Sequence, residues 1–199
     1  MKLYHYILFT AIMATTMNTG AEVLPKPQTT GGKPLMEMIR ARHSSRDLKE
    51  DQVISRQDIS NMLWAAWGIT HDGKRTIATA MNRQELEIFI VTPTGISKYN
   101  PEDNTLTLVN AGDHRQSAAL QDFAKNAPLN IVFVADGSKQ EEAIHQHYAA
   151  GAASQNIYLY CEQAGLKTVL RAGYDRDKLP RLMKLGSNEK ILYVQTVGK

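Results

Sequence analysis

The chain has 199 residues, of which 43% are hydrophobic, and its 23 Lys and Arg exceed its 20 Asp and Glu by three charges. This length and apolar content predict one packed domain. The basic residues are interspersed with acidic ones, which excludes the clustered positive surface of a nucleic-acid-binding protein. The single cysteine, Cys161, excludes an intrachain disulfide and a cysteine metal cluster, and we interpret it as a small buried apolar residue.

The N-terminus has the organisation of a secretory signal peptide. Lys2 precedes an apolar run from Tyr6 to Ala14, and small and polar residues follow as far as Ala21. The apolar run is shorter than the roughly 20 residues that span a bilayer, so cleavage near Ala21 is favoured over a permanent anchor. We therefore expect residues 1–21 to be removed and the protein to be exported, to the periplasm.

Residues 22–33 hold two prolines and two glycines with little apolar periodicity, which predicts a flexible linker ahead of a domain at residues 34–199. Apolar residues at helical spacing predict a first helix from about Leu35 to Arg42. A hydroxyl and acid spacing that begins at Ser55 indicates the start of a second helix, which ends at Gly68.

The second half of the chain alternates strand and helix signals. The pattern predicts a strand at Leu86–Val91, a hairpin at Gly95–Val109, a helix at Arg115–Lys125 and a strand at Leu129–Ala135. The strand at Leu129–Ala135 is almost continuously apolar, which favours a central position in a sheet covered on both faces.

The strongest helix signal covers Lys139–Gly165 and includes a run of small residues at Ala149–Ser154, which suits either a core helix or a helix at a subunit interface. Two final strands, Lys167–Leu170 and Ile191–Val197, flank a helix near Asp177–Lys184. The order of elements predicts an α+β domain, with a sheet flanked by helices.

A basic and hydroxyl cluster, Arg42-His43-Ser44-Ser45-Arg46, directly follows the first helix. Arginine supplies fork-shaped donors that suit a phosphate, Ser44 supplies a hydroxyl, and His43 offers a ring that donates or stacks. In isolation such a cluster is more typical of a solvated helix end.

Two further segments add to this cluster. Asn82 and Gln84 precede the Leu86 strand, where an amide can read a ring edge of alternating donors and acceptors. The turn Arg171-Ala172-Gly173-Tyr174 follows a strand, and its glycine lets the backbone approach a flat ring without a Cβ in the way.

Taken in this order, the three segments resemble the FMN-dependent nitroreductase family, from Pro34 to Val197. Leu63–Thr70 followed by Asp72–Thr76 is closer to the short, exported, SagB-like branch of that family. The resemblance implies a three-layer α+β fold with a mixed, mainly antiparallel sheet, and a homodimer that holds FMN near its interface.

The resemblance also assigns residues to FMN. It implies that the Arg42 cluster holds the phosphate and the polar edge of the ring, and that a backbone N–H at Gly173 faces flavin N5. Ala172 stands where better-known members carry Glu, and Arg171 is then expected to bring positive charge near the ring. The full set expected to bind FMN is Arg42, His43, Ser44, Arg46, Asn82, Gln84, Arg171, Ala172, Gly173 and Lys199.

The implied reaction passes hydride or electrons from a reduced donor such as NAD(P)H to a small flat acceptor, a nitroaromatic or a quinone. An alternative is a SagB-type dehydrogenase of peptide heterocycles. Because soluble nicotinamide cofactors are cytoplasmic, an exported non-catalytic flavin-binding protein is another alternative, and a family member without cofactor is a third. No metal site is expected, since His145 and His147 are two residues apart on a helix and point to different faces.

Overall fold

The computed structural model describes residues 20–49 and 52–199, and its centre is a seven-stranded sheet in which every neighbouring pair is antiparallel. The strands are β1 (Glu22–Val23), β2 (Leu86–Thr92), β3 (Gly95–Asn100), β4 (Thr105–Ala111), β5 (Leu129–Asp136), β6 (Lys167–Arg171) and β7 (Glu189–Gly198). Their order across the sheet is β1-β4-β3-β2-β5-β7-β6. The predicted α+β fold with a mainly antiparallel sheet is confirmed.

Helices cover both faces of this sheet. They are α1 (Leu35–Ala41), α2 (Arg56–Trp67), α3 (Arg115–Ala118), α4 (Asp122–Lys125), α5 (Ala143–Ala164) and α6 (Lys178–Leu182). On β5, Ile131 and Phe133 face the core formed with α2 and α5, whereas Val132 and Val134 face the core on the side of α3 and α6. β5 is buried on both faces, as its continuous apolar run predicts.

The ends of the two long helices follow from local chemistry. Ser55 caps α2, because its side chain accepts a hydrogen bond from the Asp58 N–H at 3.0 Å, and Gly68 follows the last helical residue. Gly165 ends α5 in the left-handed conformation, with φ of 68°, which glycine adopts without steric strain. Both predicted ends are confirmed.

The small residues of α5 serve the core. Ala149, Ala150 and Ala153 are fully buried in the core. Their small side chains allow α5 to pack close to the sheet. Gly151 lies on the opposite, exposed face, where an added Cβ would meet nothing within 4 Å. Cys161 is buried as expected, and burial raises the pKa of its thiol.

The segment predicted as one helix at Arg115–Lys125 is instead two short helices, α3 and α4. Ala119 between them is extended, with φ of −143°, and the Leu120 N–H turns away to donate to the Gly173 carbonyl at 3.4 Å. Because this contact is with a residue distant in sequence, and because residues 115–125 contain no glycine or proline, the sequence did not indicate the break. Likewise α5 begins four residues later than predicted, because the Asp136 carbonyl accepts from the N–H groups of Lys139 and Gln140 in a turn.

Residues 22–33, predicted as a flexible linker, lie against the domain over their first part. β1 pairs with β4, and Leu24 is only 4% exposed within the core. The Pro25 carbonyl accepts hydrogen bonds from Ser60 Oγ and from Asn104 Nδ2 at 2.9 Å. The pairing of β1 with β4 and the burial of Leu24 thus attach this segment to the domain, although its sequence shows little apolar periodicity.

The predicted signal peptide at residues 1–21 falls almost entirely outside the described residues. Within the part of the chain that the structure describes, no helix is both long and apolar enough to cross a membrane.

Candidate functional site

The basic and hydroxyl cluster lies along the free side of β6. Arg42 ends α1, and the chain then runs beside the sheet, where the Ser45 N–H donates to the Thr168 carbonyl at 3.0 Å. Four residues later, the Lys49 N–H donates to the Lys199 carbonyl, also at 3.0 Å. Lys199 therefore lies beside the segment that follows the cluster.

Tyr158 of α5 holds the cluster in place. The Arg42 guanidinium carbon lies 4.8 Å from the centroid of the Tyr158 ring, and Ser44 Oγ hydrogen-bonds to the Tyr158 hydroxyl at 2.8 Å. The same hydroxyl accepts from the Leu170 N–H of β6 at 2.8 Å. One tyrosine thus joins α5, β6 and the cluster, and the sequence alone gave no reason to include it.

The two arginines of the cluster each lie beside an aromatic ring and pair with no carboxylate of the described residues. None of the ion pairs formed by the described residues involves Arg42 or Arg46. Arg42 Nε is buried without a hydrogen-bond partner among them, and Arg46 is exposed with its guanidinium carbon 6.0 Å from the centroid of the Phe123 ring. Such guanidinium groups are suited to an anionic ligand.

The neighbouring charged groups are already engaged. Asp47 pairs with Lys167 at 2.6 Å, and the hydrogen bond from that ammonium lowers the pKa of the Asp47 carboxyl. The exposed His43 ring lies 3.1 Å from the Ala41 carbonyl and 3.9 Å from Glu162. Asp47 is thus paired with a lysine and with neither arginine of the cluster.

The Gly173 turn lies next to the same region. Ala172 is exposed, Gly173 is half-buried, and a Cβ at Gly173 would lie 2.9 Å from Gln121 Oε1. Gln121 directly precedes α4, which carries the Phe123 that underlies Arg46. The Gln121 side chain therefore reaches the turn from the same segment that contacts the cluster through Phe123. The sequence did not indicate this role.

Arg171 lies behind the Gly173 turn, and the expectation that it brings positive charge near a bound ring stays a prediction. Its side chain is 6% exposed, and all three guanidinium nitrogens donate within the chain. Nε donates to Thr196 Oγ1 at 2.8 Å, Nη2 to Asn130 Oδ1 at 2.6 Å, and Nη1 to the Gly173 carbonyl. The residue supports the turn from behind.

Asn82 and Gln84 lie at the other end of the sheet. Leu86, which begins β2, pairs with Ala135, and Ala135 pairs with Lys190 near the start of β7. Lys199 follows the end of β7, whose 10 residues span roughly 30 Å at about 3.3 Å per residue. A single chain therefore does not bring these amides to the cluster.

The segment that carries these amides is locally rigid and strained. Gln84 Oε1 accepts from Arg75 Nε at 2.8 Å, and Gln84 Nε2 donates to the Gly73 carbonyl at 3.2 Å. Met81, Asn82 and Gln84 all have positive φ, between 51° and 54°. Non-glycine residues adopt this conformation rarely, and they do so most often at binding sites.

Comparison with known proteins adds the family. The chain matches the family model described as Nitroreductase family over residues 39–199. It belongs to the nitroreductase family. A Methanocaldococcus jannaschii protein named as a nitroreductase is 25% identical over 182 residues, which cover 83% of this chain and 90% of that protein.

Solved structures agree with this nitroreductase assignment. A crystal structure named as a nitroreductase of Ralstonia eutropha JMP134 is 34% identical, covers 90% of this chain and 89% of that one, and has a TM-score of 0.83. A protein of Desulfovibrio desulfuricans named as a nitroreductase, solved in complex with FMN, shares the fold with a TM-score of 0.61 at 18% identity, over 84% of this chain and 87% of that one.

Members of the nitroreductase family are oxidoreductases. In the described part of this nitroreductase, no group of three or more His, Cys, Asp or Glu side chains is placed to hold a metal ion.

Proposed function

We propose that this nitroreductase binds FMN at the Arg42 cluster and the Gly173 turn, and that it uses FMN to pass hydride or electrons from a reduced donor to a small flat acceptor. The observation that carries the proposal is the pair of unpaired arginines, Arg42 and Arg46, beside a hydroxyl and an open glycine turn. Charged fork-shaped donors suit a phosphate, and a glycine turn lets a flat ring approach the backbone closely.

The residues present suit FMN. Arg42 Nε is a buried donor without a partner among the described residues, and an incoming phosphate or ring oxygen would satisfy it. Ser44 adds a hydroxyl, and Lys199 at the adjoining chain end is assigned to the phosphate. The exposed Ala172 and the half-buried Gly173 leave a surface on which a ring can rest.

A second copy of the chain is part of the proposal. Asn82 and Gln84 lie at the far end of the sheet, so their amides reach an FMN only if it lies between two subunits. On the exposed face of α5, Ile144 is 72% and Tyr148 is 57% exposed, which leaves apolar surface for a partner. We assign this face to the homodimer.

When bound, FMN supplies the hydride and electron chemistry, and the protein supplies binding, orientation and electrostatics. In this chain, Arg42 and Arg46 fix the anionic end, and Tyr158 keeps Arg42 and Ser44 in register with β6. The Gly173 turn, held by the Leu120 N–H and by Arg171, sets where the ring lies. Ala172 offers no carboxylate, so no acid acts from that position.

The donor is assigned as NAD(P)H and the acceptor as a nitroaromatic or a quinone. Export to the periplasm, if the signal peptide is used, would remove the protein from soluble nicotinamide cofactors and require a different donor. The SagB-type dehydrogenase and the non-catalytic flavin-binding protein are therefore kept as outcomes of the test.

The test is the absorbance spectrum of the protein from Glu22 onward, with added FMN and then with NADPH without oxygen. We expect bound flavin to absorb near 450 nm and to bleach with NADPH, after which nitroaromatic and quinone acceptors should restore the absorbance. Bound flavin that stays oxidised would remove NADPH as donor and favour the alternatives. Absence of bound flavin would overturn the proposal.

Replacing both Arg42 and Arg46 with Ala should strongly reduce FMN occupancy while the fold is retained. Each charge-assisted hydrogen bond contributes about 1.5–3 kcal/mol, so we expect the Kd for FMN to rise at least about tenfold for each arginine. Arg40→Ala, which removes an exposed arginine of α1 outside the cluster, is the control and should bind FMN normally. Equal affinity in the double variant and the control would refute the assignment.

A further inference from the structure

Arg171 is a buried cation whose partners are all neutral. Its side chain is 6% exposed, and none of the ion pairs of the described residues includes it. Burial lowers the pKa of its guanidinium to about 10, so the group remains charged at neutral pH. A buried charge without a counter-charge is costly to a folded protein, which indicates a role beyond stability.

The charge is held in one position. Arg171 Nη2 and Thr196 Oγ1 both donate to Asn130 Oδ1, at 2.6 and 2.7 Å, and Arg171 Nε donates to Thr196 Oγ1. Asn130 and Thr196 face each other on paired strands β5 and β7. Two central strands thus fix the guanidinium, and its position does not depend on a mobile loop.

The third nitrogen connects this charge to the candidate site. Arg171 Nη1 donates to the Gly173 carbonyl, which also accepts from the Leu120 N–H at 3.4 Å. The charge therefore lies directly behind the turn whose outer side, at Ala172, is exposed. No carboxylate at position 172 opposes it.

We propose that Arg171 is a positioning residue that raises the midpoint potential of FMN bound at the Gly173 turn. The inference rests on the proposed function. Reduction of a flavin adds negative charge to its ring, and a fixed positive charge in a region of low dielectric stabilises that charge more than water-screened charges do. Arg171 acts through the turn and needs no direct contact with the ring.

The experiment is a potentiometric titration of the FMN-loaded protein and three variants. Arg171→Gln removes the charge and keeps an amide donor, whereas Arg171→Lys keeps the charge and loses the fork. Arg176→Gln is the matched control, because Arg176 is exposed close to the same turn, with its guanidinium carbon 5.5 Å from the centroid of the Tyr174 ring. FMN affinity and thermal unfolding are measured for each.

We expect Arg171→Gln to weaken the binding of reduced relative to oxidised FMN at least about tenfold, which corresponds to a fall of about 30 mV for a two-electron couple. Arg171→Lys should retain most of the wild-type potential, and Arg176→Gln should leave it almost unchanged. If Arg171→Gln does not fold, Arg171→Met provides a second neutral variant with an unbranched side chain.

Two results would overturn the inference and leave the proposed function intact: a wild-type potential in the neutral variant, or an equal fall in the neutral and lysine variants. The second result would assign the effect to geometry and not to charge. If the wild-type protein binds no FMN, the proposed function fails, and the inference fails with it.

Discussion

At the scale of single residues, Gly173 is a position where a structural role and a ligand-binding role can be distinguished. Its backbone is not left-handed, and the three heavy atoms nearest to an added Cβ all belong to the flexible amide of Gln121. The fold therefore tolerates a side chain here once Gln121 moves aside. A glycine that the fold does not require is then explained by what approaches it from outside.

Gly173→Val should impair FMN binding or its reduction, with little change in thermal stability, because the branched side chain projects where the ring would rest. The measurements are FMN affinity by fluorescence quenching and anaerobic reduction kinetics. Ala172→Val is the control for added bulk at an exposed neighbouring position. Normal affinity and reduction kinetics in Gly173→Val would show that the ring does not approach this turn.

Part of the site was predictable from the sequence, and part depended on distant contacts. The arginines, Ser44 and the glycine turn stand in recognisable local motifs, and the hydrogen bond from Ser45 to Thr168 places the cluster beside the strand that leads into the glycine turn. Tyr158 was missed because its bond to Ser44 joins residues 114 positions apart. The enclosure of Arg171 by Asn130 and Thr196 was not predicted, because nothing in its sequence neighbours indicates these contacts.

At the scale of elements, the sequence predicted those helices and strands whose own residues carry a cap or a periodic apolar pattern. The Ser55 cap, the Gly165 end and the apolar run of β5 are examples. Elements that depend on a remote partner were not predicted, as for the break at Ala119 and for β1, which pairs with β4 across more than 80 residues. Backbone hydrogen bonds to distant residues leave no periodic pattern to recognise.

Leu24→Ala tests whether the segment after the predicted cleavage site belongs to the domain. Leu24 is 4% exposed within the main core, so removal of its side chain should lower the free energy of unfolding by about 2–4 kcal/mol. Val23→Ala, at a neighbouring side chain that is 70% exposed, should change it little. Equal stability of the two variants in urea denaturation would support a detached linker.

At the scale of the whole molecule, the residues of the proposed site lie in two separate regions of one sheet. The arginines and Gly173 belong to the side of β6, whereas Asn82 and Gln84 precede β2 at the far end. In the proposed homodimer, the Asn82 and Gln84 end of one copy would lie against the β6 side of the other, so cofactor binding and association are expected to depend on each other.

Ile144→Lys combined with Tyr148→Lys should shift the protein from dimer to monomer and weaken FMN binding, because it places charges on the apolar face of α5. Both side chains are exposed within one chain, so the fold of the monomer should persist. Light scattering gives the mass, and fluorescence titration gives FMN affinity. Leu108→Lys, at a 45% exposed residue of β4, is the control. A dimer that persists in the double variant would exclude this face as the interface.

The segment from Ser45 to Lys49 has a second effect that follows from where it lies. An unpaired strand edge invites a strand from another molecule, and β6 is the last strand on its side of the sheet. The hydrogen bond from Ser45 to Thr168 covers part of that edge, the bond from Lys49 to Lys199 lies beyond the end of β7, and the two-residue β1 forms the opposite side of the sheet. Arg46, which is assigned to the phosphate, lies within this segment, so a substitution that detaches the segment from β6 is expected to lower both solubility and FMN binding.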